Sequence, residues 1–273
     1  MNKVEYQIIT SEQNVIIKHI KGLRLKKNRQ KHKNYIIEGV RAINEAIKNN
    51  VALEKVIFSK TLYSVEGGKS LLKQVEEKLS AIEITPELMK KLSDTENPQG
   101  IIALAKIKDN SLADIIISPK DLVVVLDRIQ DPGNLGTIIR TAEAAGAKAV
   151  ILTKGSVDPY NTKTIRGTMG ALFHVPIIIC NEDQEWLQFI KDNRIRLIAS
   201  DVEAPKSYND IEYTGRIAII IGNEGNGIRR ELLNEADEAV KIPIYGKIES
   251  LNASVAAALL IYKAIEGRRQ ENS

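Results

Sequence analysis

The chain has 273 residues, 43% of them hydrophobic, and a formal net charge of +4. That length fits two ordinary domains or one large one, and a chain this apolar buries a core, which excludes global disorder. So small a net charge does not by itself specify a nucleic-acid partner; where the charges sit has to decide.

A single cysteine, Cys180, excludes an internal disulfide framework and any multi-cysteine metal site. It follows Ile177–Ile179 and reads as a small apolar residue at the end of a buried strand. His19, His32 and His174 are too scattered for a ligand set, so no metal is expected, and His174 reads as a packing residue. No apolar run approaches the roughly 20 residues that cross a bilayer. The stretch Met1–Lys18, broken by Lys3, Glu5 and Glu12, lacks the apolar core of a signal peptide. A cytoplasmic protein without a membrane partner is expected.

Residues 1–107 read as a first domain. It opens on a basic stretch in which Lys18, Lys21, Arg24, Lys26, Lys27, Arg29, Lys31 and Lys33 fall within sixteen residues that contain no Asp or Glu. Such a stretch is either a solvated helix face or an RNA contact, and phosphates are the natural counter-charge. Strands at 35–37, 56–58, 82–84 and 101–107 alternate with helices at 40–49 and 69–79, which predicts a small α/β sandwich. Residues 108–120 read as a linker, with turn signals at Asp109-Asn110-Ser111 and Ser118-Pro119 and apolar Ile115–Ile117 packing on one domain.

Residues 121–273 read as a second domain. Apolar runs at 122–126, 149–152, 175–179, 197–199, 217–221 and 240–244 are separated by helical stretches at 134–145, 184–192 and 229–236. A long helix is predicted over 250–266, followed by a polar tail. Fully apolar strands between helices predict a parallel sheet covered on both faces, with ligands beyond the carboxyl ends of the strands.

Three loops after such strands carry more Gly, Asn and charge than a turn needs. In the first, Asp127-Arg-Ile-Gln-Asp-Pro-Gly-Asn134, Asp127 closes a strand, Pro132-Gly133 turn the chain and Asn134 can cap a helix. Arg140 lies six residues on, near the N-terminal half of that helix, and is either a phosphate or ribose contact or a solvated residue. In the second loop, Gly222, Gly225 and Gly227 permit tight backbone geometry and close approach of a ligand. Their order is neither the dinucleotide fingerprint nor a P-loop, and Glu224 would repel a pyrophosphate, which favours a neutral or cationic ligand. The third loop runs from Ile242 through Glu249-Ser250-Leu251-Asn252 into a run of small residues, with Ser250 or Asn252 as the cap.

Together the segments Asn134-Leu-Gly-x-x-x-Arg140, Ile221-Gly-Asn-Glu-Gly-Asn-Gly-Ile228 and Ile242-Pro-Ile-Tyr-Gly…Glu249-Ser-Leu-Asn-Ala-Ser-Val-Ala-Ala-Ala258 resemble the SpoU (TrmH-type) family of RNA ribose 2′-O-methyltransferases, within the SPOUT superfamily. The resemblance covers residues 121–266 and rests on three motifs in order. The first domain is similar, without a sharp motif, to the L30e/L7Ae ribosomal-protein fold that binds substrate in several members. The resemblance implies a deep trefoil knot, a fold otherwise nearly absent. It also implies S-adenosylmethionine as cofactor, bent among loops that here hold Ser200, Gly222, Asn223, Glu224, Ile242, Ile244, Leu251, Asn252 and Ser254. A homodimer through the terminal helix is implied as well.

The residue matching Arg140 has the activating role in that family. A guanidinium is always protonated, so polarising the 2′-hydroxyl or binding the adjacent phosphate is its easier task. Asn134, Glu224, Ser250 and Asn252 are expected to order the site. The front domain and its basic stretch tilt the expected substrate toward 23S ribosomal RNA. A transfer RNA, a base methyltransferase and a non-catalytic RNA-binding or ribosome-assembly protein are the alternatives. A nicotinamide oxidoreductase would need a glycine pattern that the first βα turn lacks.

Overall fold

Continuous apolar runs make the strands Leu122–Leu126, Ala149–Leu152 and Ile217–Ile221 of this chain, because a strand covered on both faces has no polar side to show. The computed structural model describes residues 8–270; the N-terminal residues 1–7, part of the stretch read as lacking a signal peptide, and the last three of the polar tail lie outside them. Two compact units result, Met1–Lys108 with Tyr160–Arg166, and Asp109–Pro159 with Gly167–Ser273.

The first unit runs α1 (Val15–Gly22), α2 (Lys26–His32), β1 (Asn34–Glu38), α3 (Val40–Lys48), β2 (Leu53–Phe58), α4 (Gly68–Glu76), β3 (Ala81–Glu83), α5 (Pro86–Leu92) and β4 (Ile101–Lys106). Its sheet has the order β1-β4-β2-β3, with β4 antiparallel to both neighbours and β3 parallel to β2. The basic stretch is helical because apolar residues hide in it. Ile17, Ile20 and Leu23 lie one turn apart and pack on Ile36, Ile57, Leu88 and Leu104.

The second unit runs β5 (Leu122–Leu126), α6 (Pro132–Ala144), β6 (Ala149–Leu152), α7 (Thr162–Thr168, whose first residues cluster with the first unit), β7 (Ile177–Ile179), α8 (Asp183–Asp192), β8 (Arg196–Ser200), β9 (Lys206–Ser207), β10 (Ile217–Ile221), α9 (Arg230–Glu235), β11 (Glu238–Lys241) and α10 (Ala253–Gln270). The sheet order is β7-β6-β5-β10-β8-β11-β9, and every pairing is parallel. Every residue of β5, β6 and β10 is buried. On one face Val123, Val125, Ile151 and Ile220 pack with Trp186, Ile190 and Leu232, and Ile115 and Ile117 join them from the segment after Lys108. Cys180 is buried at the end of β7, as its neighbours predict, whereas His174 is exposed.

On its buried side α10 presents Ala253, Ala257, Leu260, Ile261 and Ala264, and it packs on α6 and β10. Its small residues let the helix lie close. The strand expected at 240–244 instead spans Glu238–Lys241, because Pro243 has no N–H to give a ladder. From β5 the chain moves outward through β6 and β7 and then returns to place β10 on the other flank. That reversal opens a crevice above the carboxyl ends of β5 and β10, the place where open parallel sheets take ligands.

Candidate active site

The first loop closes differently from its sequence expectation. Asp131 is the N-cap of α6, its side chain accepting the Asn134 amide N–H at 2.8 Å, and Pro132 is the first helical residue. Asn134 therefore does not cap, and Pro132-Gly133 begin the helix instead of turning the chain. Proline favours that first position because its missing N–H would be unpaired there anyway.

Freed from capping, the Asn134 side chain points at the other two loops. Its Nδ2 donates to Glu224 Oε1 at 3.1 Å, and its Oδ1 accepts from Asn252 Nδ2 at 3.0 Å. Glu224 also accepts the backbone N–H groups of Gln130 and Asp131, both at 3.1 Å. Partial desolvation pushes the Glu224 carboxyl up, but the Asn134 amide and the backbone N–H donors outweigh it and hold it below its ordinary value. The charge expected to repel a phosphate is committed to tying two loops together.

Asn252 caps α10: its Oδ1 accepts from Ser254 N at 2.9 Å, Ser254 Oγ at 2.6 Å and Val255 N at 3.4 Å. The helix thus starts at Ala253, not at Ser250, which is exposed and makes no side-chain hydrogen bond among the described residues. The second loop is a tight return. Asn223 and Gly227 exchange backbone hydrogen bonds at 3.0 Å, and a Cβ on Gly222 would stand 2.2 Å from the Gly227 carbonyl carbon. Gly222 is therefore required by the turn itself, and Gly227 by its φ of +64°.

The expected cofactor residues line up at one edge. Ser200 ends β8, Gly222 follows β10 and Ile242 follows β11, three adjacent strands. Ile242, Ile244 and Leu251 are half-buried. Arg140 stands apart from the hydrogen-bonded cluster. It is the ninth residue of α6, past its middle, exposed and without an ion pair among the described residues. Six residues put it about 9 Å along the axis from Asn134. Its side chain leans back toward the helix start, since Cα–Cβ bonds tilt that way.

A buried charge network went unseen in the sequence. Asp127 is fully buried and accepts Arg229 N at 3.0 Å and Nε at 2.9 Å, while Arg229 also grips Asp183 at 2.6 and 2.9 Å. Asp183 on Arg229 raises the guanidinium pKa further, burial opposing. Burial pushes the Asp183 carboxyl up, but Arg229 and Trp186 bring it below its ordinary value. An acid directly after five apolar strand residues was the available signal, since such a buried charge needs a partner.

In the first unit the eight cations of the basic stretch divide. Arg29 is buried and donates to the Leu23 and Arg24 carbonyls, at 2.6 and 2.9 Å. Arg24 donates to the carbonyls of Lys91, Leu92 and Ser93 at the end of α5 and pairs with Asp94 at 3.1 Å. Lys21 pairs with Glu12, which also holds Lys91 at 2.5 Å. These three therefore do not present free charge; the window lacks acids, but the fold brings them from outside it. Lys33 is exposed and has a partner of its own. Lys18, Lys26, Lys27 and Lys31 face solvent.

A parallel α/β unit with a polar cluster over its switch point defines a ligand-binding domain of the doubly wound class. Comparison with known proteins narrows this. The SpoU rRNA methylase family matches residues 121–262, and an MRM3-like substrate binding domain matches residues 14–103. The 23S rRNA (guanosine(2553)-2′-O)-methyltransferase RlmP of Bacillus subtilis is 33% identical over 254 residues, covering 93% of this chain and 97% of that protein. The AdoMet complex of the SpoU methyltransferase AviRb from Streptomyces viridochromogenes superposes with a TM-score of 0.88 at 27% identity, over 96% of this chain and 99% of that one. An AdoMet-bound rRNA methyltransferase from Sinorhizobium meliloti gives 0.84 at 29%, over 96% and 98%. The chain belongs to the SpoU rRNA methylase family.

Proposed function

We propose that this chain is a cytoplasmic enzyme that transfers the methyl group of S-adenosylmethionine to a ribose 2′-hydroxyl of 23S ribosomal RNA. The observation that carries the reading is the Glu224–Asn134–Asn252 chain of hydrogen bonds, which joins the three motif loops at the switch point of a SpoU family member. The RlmP name and the substrate-binding domain match support ribosomal RNA as the substrate.

The donor set fits a sulfonium cofactor. Residues 221–228 contain no lysine or arginine, and residues 242–254 contain only Lys247, so little positive charge opposes a cation. Ser200, Gly222, Asn223, Ile242, Ile244, Leu251 and Ser254 would hold it, with half-buried apolar side chains against its apolar parts. When bound, S-adenosylmethionine supplies a methyl group already activated toward nucleophiles. The protein's task is to position the hydroxyl and ease loss of its proton. Arg140, permanently charged, polarises that hydroxyl or binds the adjacent phosphate, and Glu224 and Asn252 keep the Asn134 amide fixed. Ser250 adds an exposed hydroxyl at the mouth of the third loop.

Two further features belong to the proposal. The C-terminal segment threads a knot, supported by β10 lying between β5 and β8 while α10 packs back on α6 and β10. The protein is a homodimer through α10, supported by Val255, Leu259 and Tyr262, which are 48%, 38% and 50% exposed along one stripe of that helix. Sedimentation at micromolar concentration should give twice the chain mass. Mapping 2′-O-methyl sites in 23S ribosomal and transfer RNA from cells with and without the gene tests the function. One site lost from 23S RNA is expected; loss from a transfer RNA, or no loss, overturns the assignment.

A further inference from the structure

Two arginines at the carboxyl edge of the second unit's sheet are held in opposite ways. Arg229 closes on Asp127 and Asp183 with contacts of 2.6 to 2.9 Å. Asp127 also accepts Thr153 Oγ1 and the Arg229 N–H, each at 3.0 Å, which uses most of its lone pairs. Both carboxylates therefore have their cation without Arg128.

Arg128 has a φ of +57°, a left-handed conformation that a side chain disfavours and glycine adopts freely. Two backbone hydrogen bonds hold it there, its N–H to Thr153 Oγ1 at 3.1 Å and its carbonyl from Asn223 Nδ2 at 2.8 Å. Glycine would make both. The side chain has no such bonds among the described residues. Its Nε is buried without a hydrogen-bond partner and stands 3.5 Å from Asp127 Oδ2, while 32% of the side chain remains exposed. The stem lies over Gly155, where a Cβ would come within 3.2 Å of Arg128 Cγ. The fold therefore carries an arginine at a position whose backbone favours its absence, its ion pair a 3.5 Å contact with an acid that Arg229 already holds at 2.8 Å.

We propose that Arg128 is an RNA ligand, its guanidinium taking a backbone phosphate of the strand that flanks the target nucleotide. This rests on the assignment of the chain as an RNA methyltransferase. A phosphate matches the planar fork of the guanidinium. The cofactor carboxylate is the other anion of the reaction, and the topology disfavours it. Gly155 follows β6, on the flank of β5 away from β10, whereas the cofactor loops follow β10, β8 and β11. Lys154, beside Gly155, adds an exposed cation 3.7 Å from Glu182 on the same edge.

Arg128→Gly separates this role from a structural one, because glycine relieves the backbone while removing the charge. With an unmodified 23S rRNA transcript as probe, Arg128→Gly should weaken binding about tenfold and lower the salt slope by about one. Its melting temperature should equal or exceed that of the wild type, and calorimetric affinity for S-adenosylmethionine should not change. Arg128→Lys should recover part of the RNA affinity. Wild-type RNA affinity and slope in Arg128→Gly would overturn the proposal. So would weakened cofactor binding with intact RNA binding, or a lower melting temperature with both affinities reduced. A wild-type protein that neither binds nor methylates RNA would instead remove the functional assignment on which the proposal stands.

Discussion

At the carboxyl edge of the parallel sheet, Asp127, Asp183, Glu224 and Arg229 each hold partners from distant parts of the chain, whereas Lys18, Lys26, Lys27 and Lys31 on α1 and α2 face water. The same kinds of side chain serve two purposes. The buried Asp127 and the half-buried Asp183 close on Arg229 and fix the shape of loops, and loss of that cation is expensive because Asp127 stays desolvated. Exposed lysines hold nothing in place. They offer charge to an incoming polyanion, each adding a little, and salt screens them.

The largest effect should come from Arg229→Met, which leaves the buried Asp127 with only the longer 3.5 Å contact of Arg128 Nε. A loss of about 3–5 kcal/mol in denaturant unfolding is expected. A loss under about 1 kcal/mol would put this network in the class of surface pairs and erase the contrast between the two regions.

Arg140 tests the edge from its free side, since no ion pair among the described residues holds it. Arg140→Ala should lower the single-turnover methyl-transfer rate about 10²–10³-fold, as for other lost electrostatic donors, with calorimetric cofactor affinity unchanged. Arg140→Lys keeps a charge and loses the fork. A near-wild-type rate in that variant would show that a point charge is sufficient and that planar recognition is not used.

Glu224 gives a smaller, pH-dependent effect. Its folded pKa is lowered, so its bonds to Asn134, Gln130 and Asp131 stabilise the fold above the ordinary carboxylate value and are lost as pH falls through the lowered one. Glu224→Gln should therefore cost about 1 kcal/mol at pH 7, discounted because the side chain is partly in water. The difference from wild type should shrink as pH falls below the ordinary carboxylate range and vanish below the lowered value. A difference that stays constant from pH 7 to pH 3 would assign the effect to packing.

How far these residues could be read in advance follows from the range of the forces that place them. β5, β6 and β10 match their apolar runs residue for residue, because a strand buried on both faces writes its limits into the local sequence. Asn134, Glu224 and Asn252 could be singled out as motif members, and the fold brings them into one cluster; that they bond to one another required coordinates. Asp131 and Asn134 are both good caps, and Pro132 held the deciding hint. The Asp127–Arg229–Asp183 contacts join residues whose proximity exists only after folding. No window of sequence shows them.

The lysines of the first unit should give the smallest single effects and the sharpest test of the sorting. Lys27 is exposed on α2, whereas Lys21 on α1 is paired with Glu12. Lys27→Ala should weaken binding to a 23S rRNA transcript by about 0.5 kcal/mol, roughly twofold at moderate salt. The slope of log affinity against log salt should fall by about one if that lysine neutralises a phosphate. Lys21→Ala removes the same formal charge, but from a residue already neutralised, and should leave the slope where it is. Equal slopes for the two variants would mean that Glu12 releases Lys21 when RNA arrives. Lys21 would then join Lys18, Lys26, Lys27 and Lys31 as a cation offered to RNA, while Arg29 stays buried on its carbonyls.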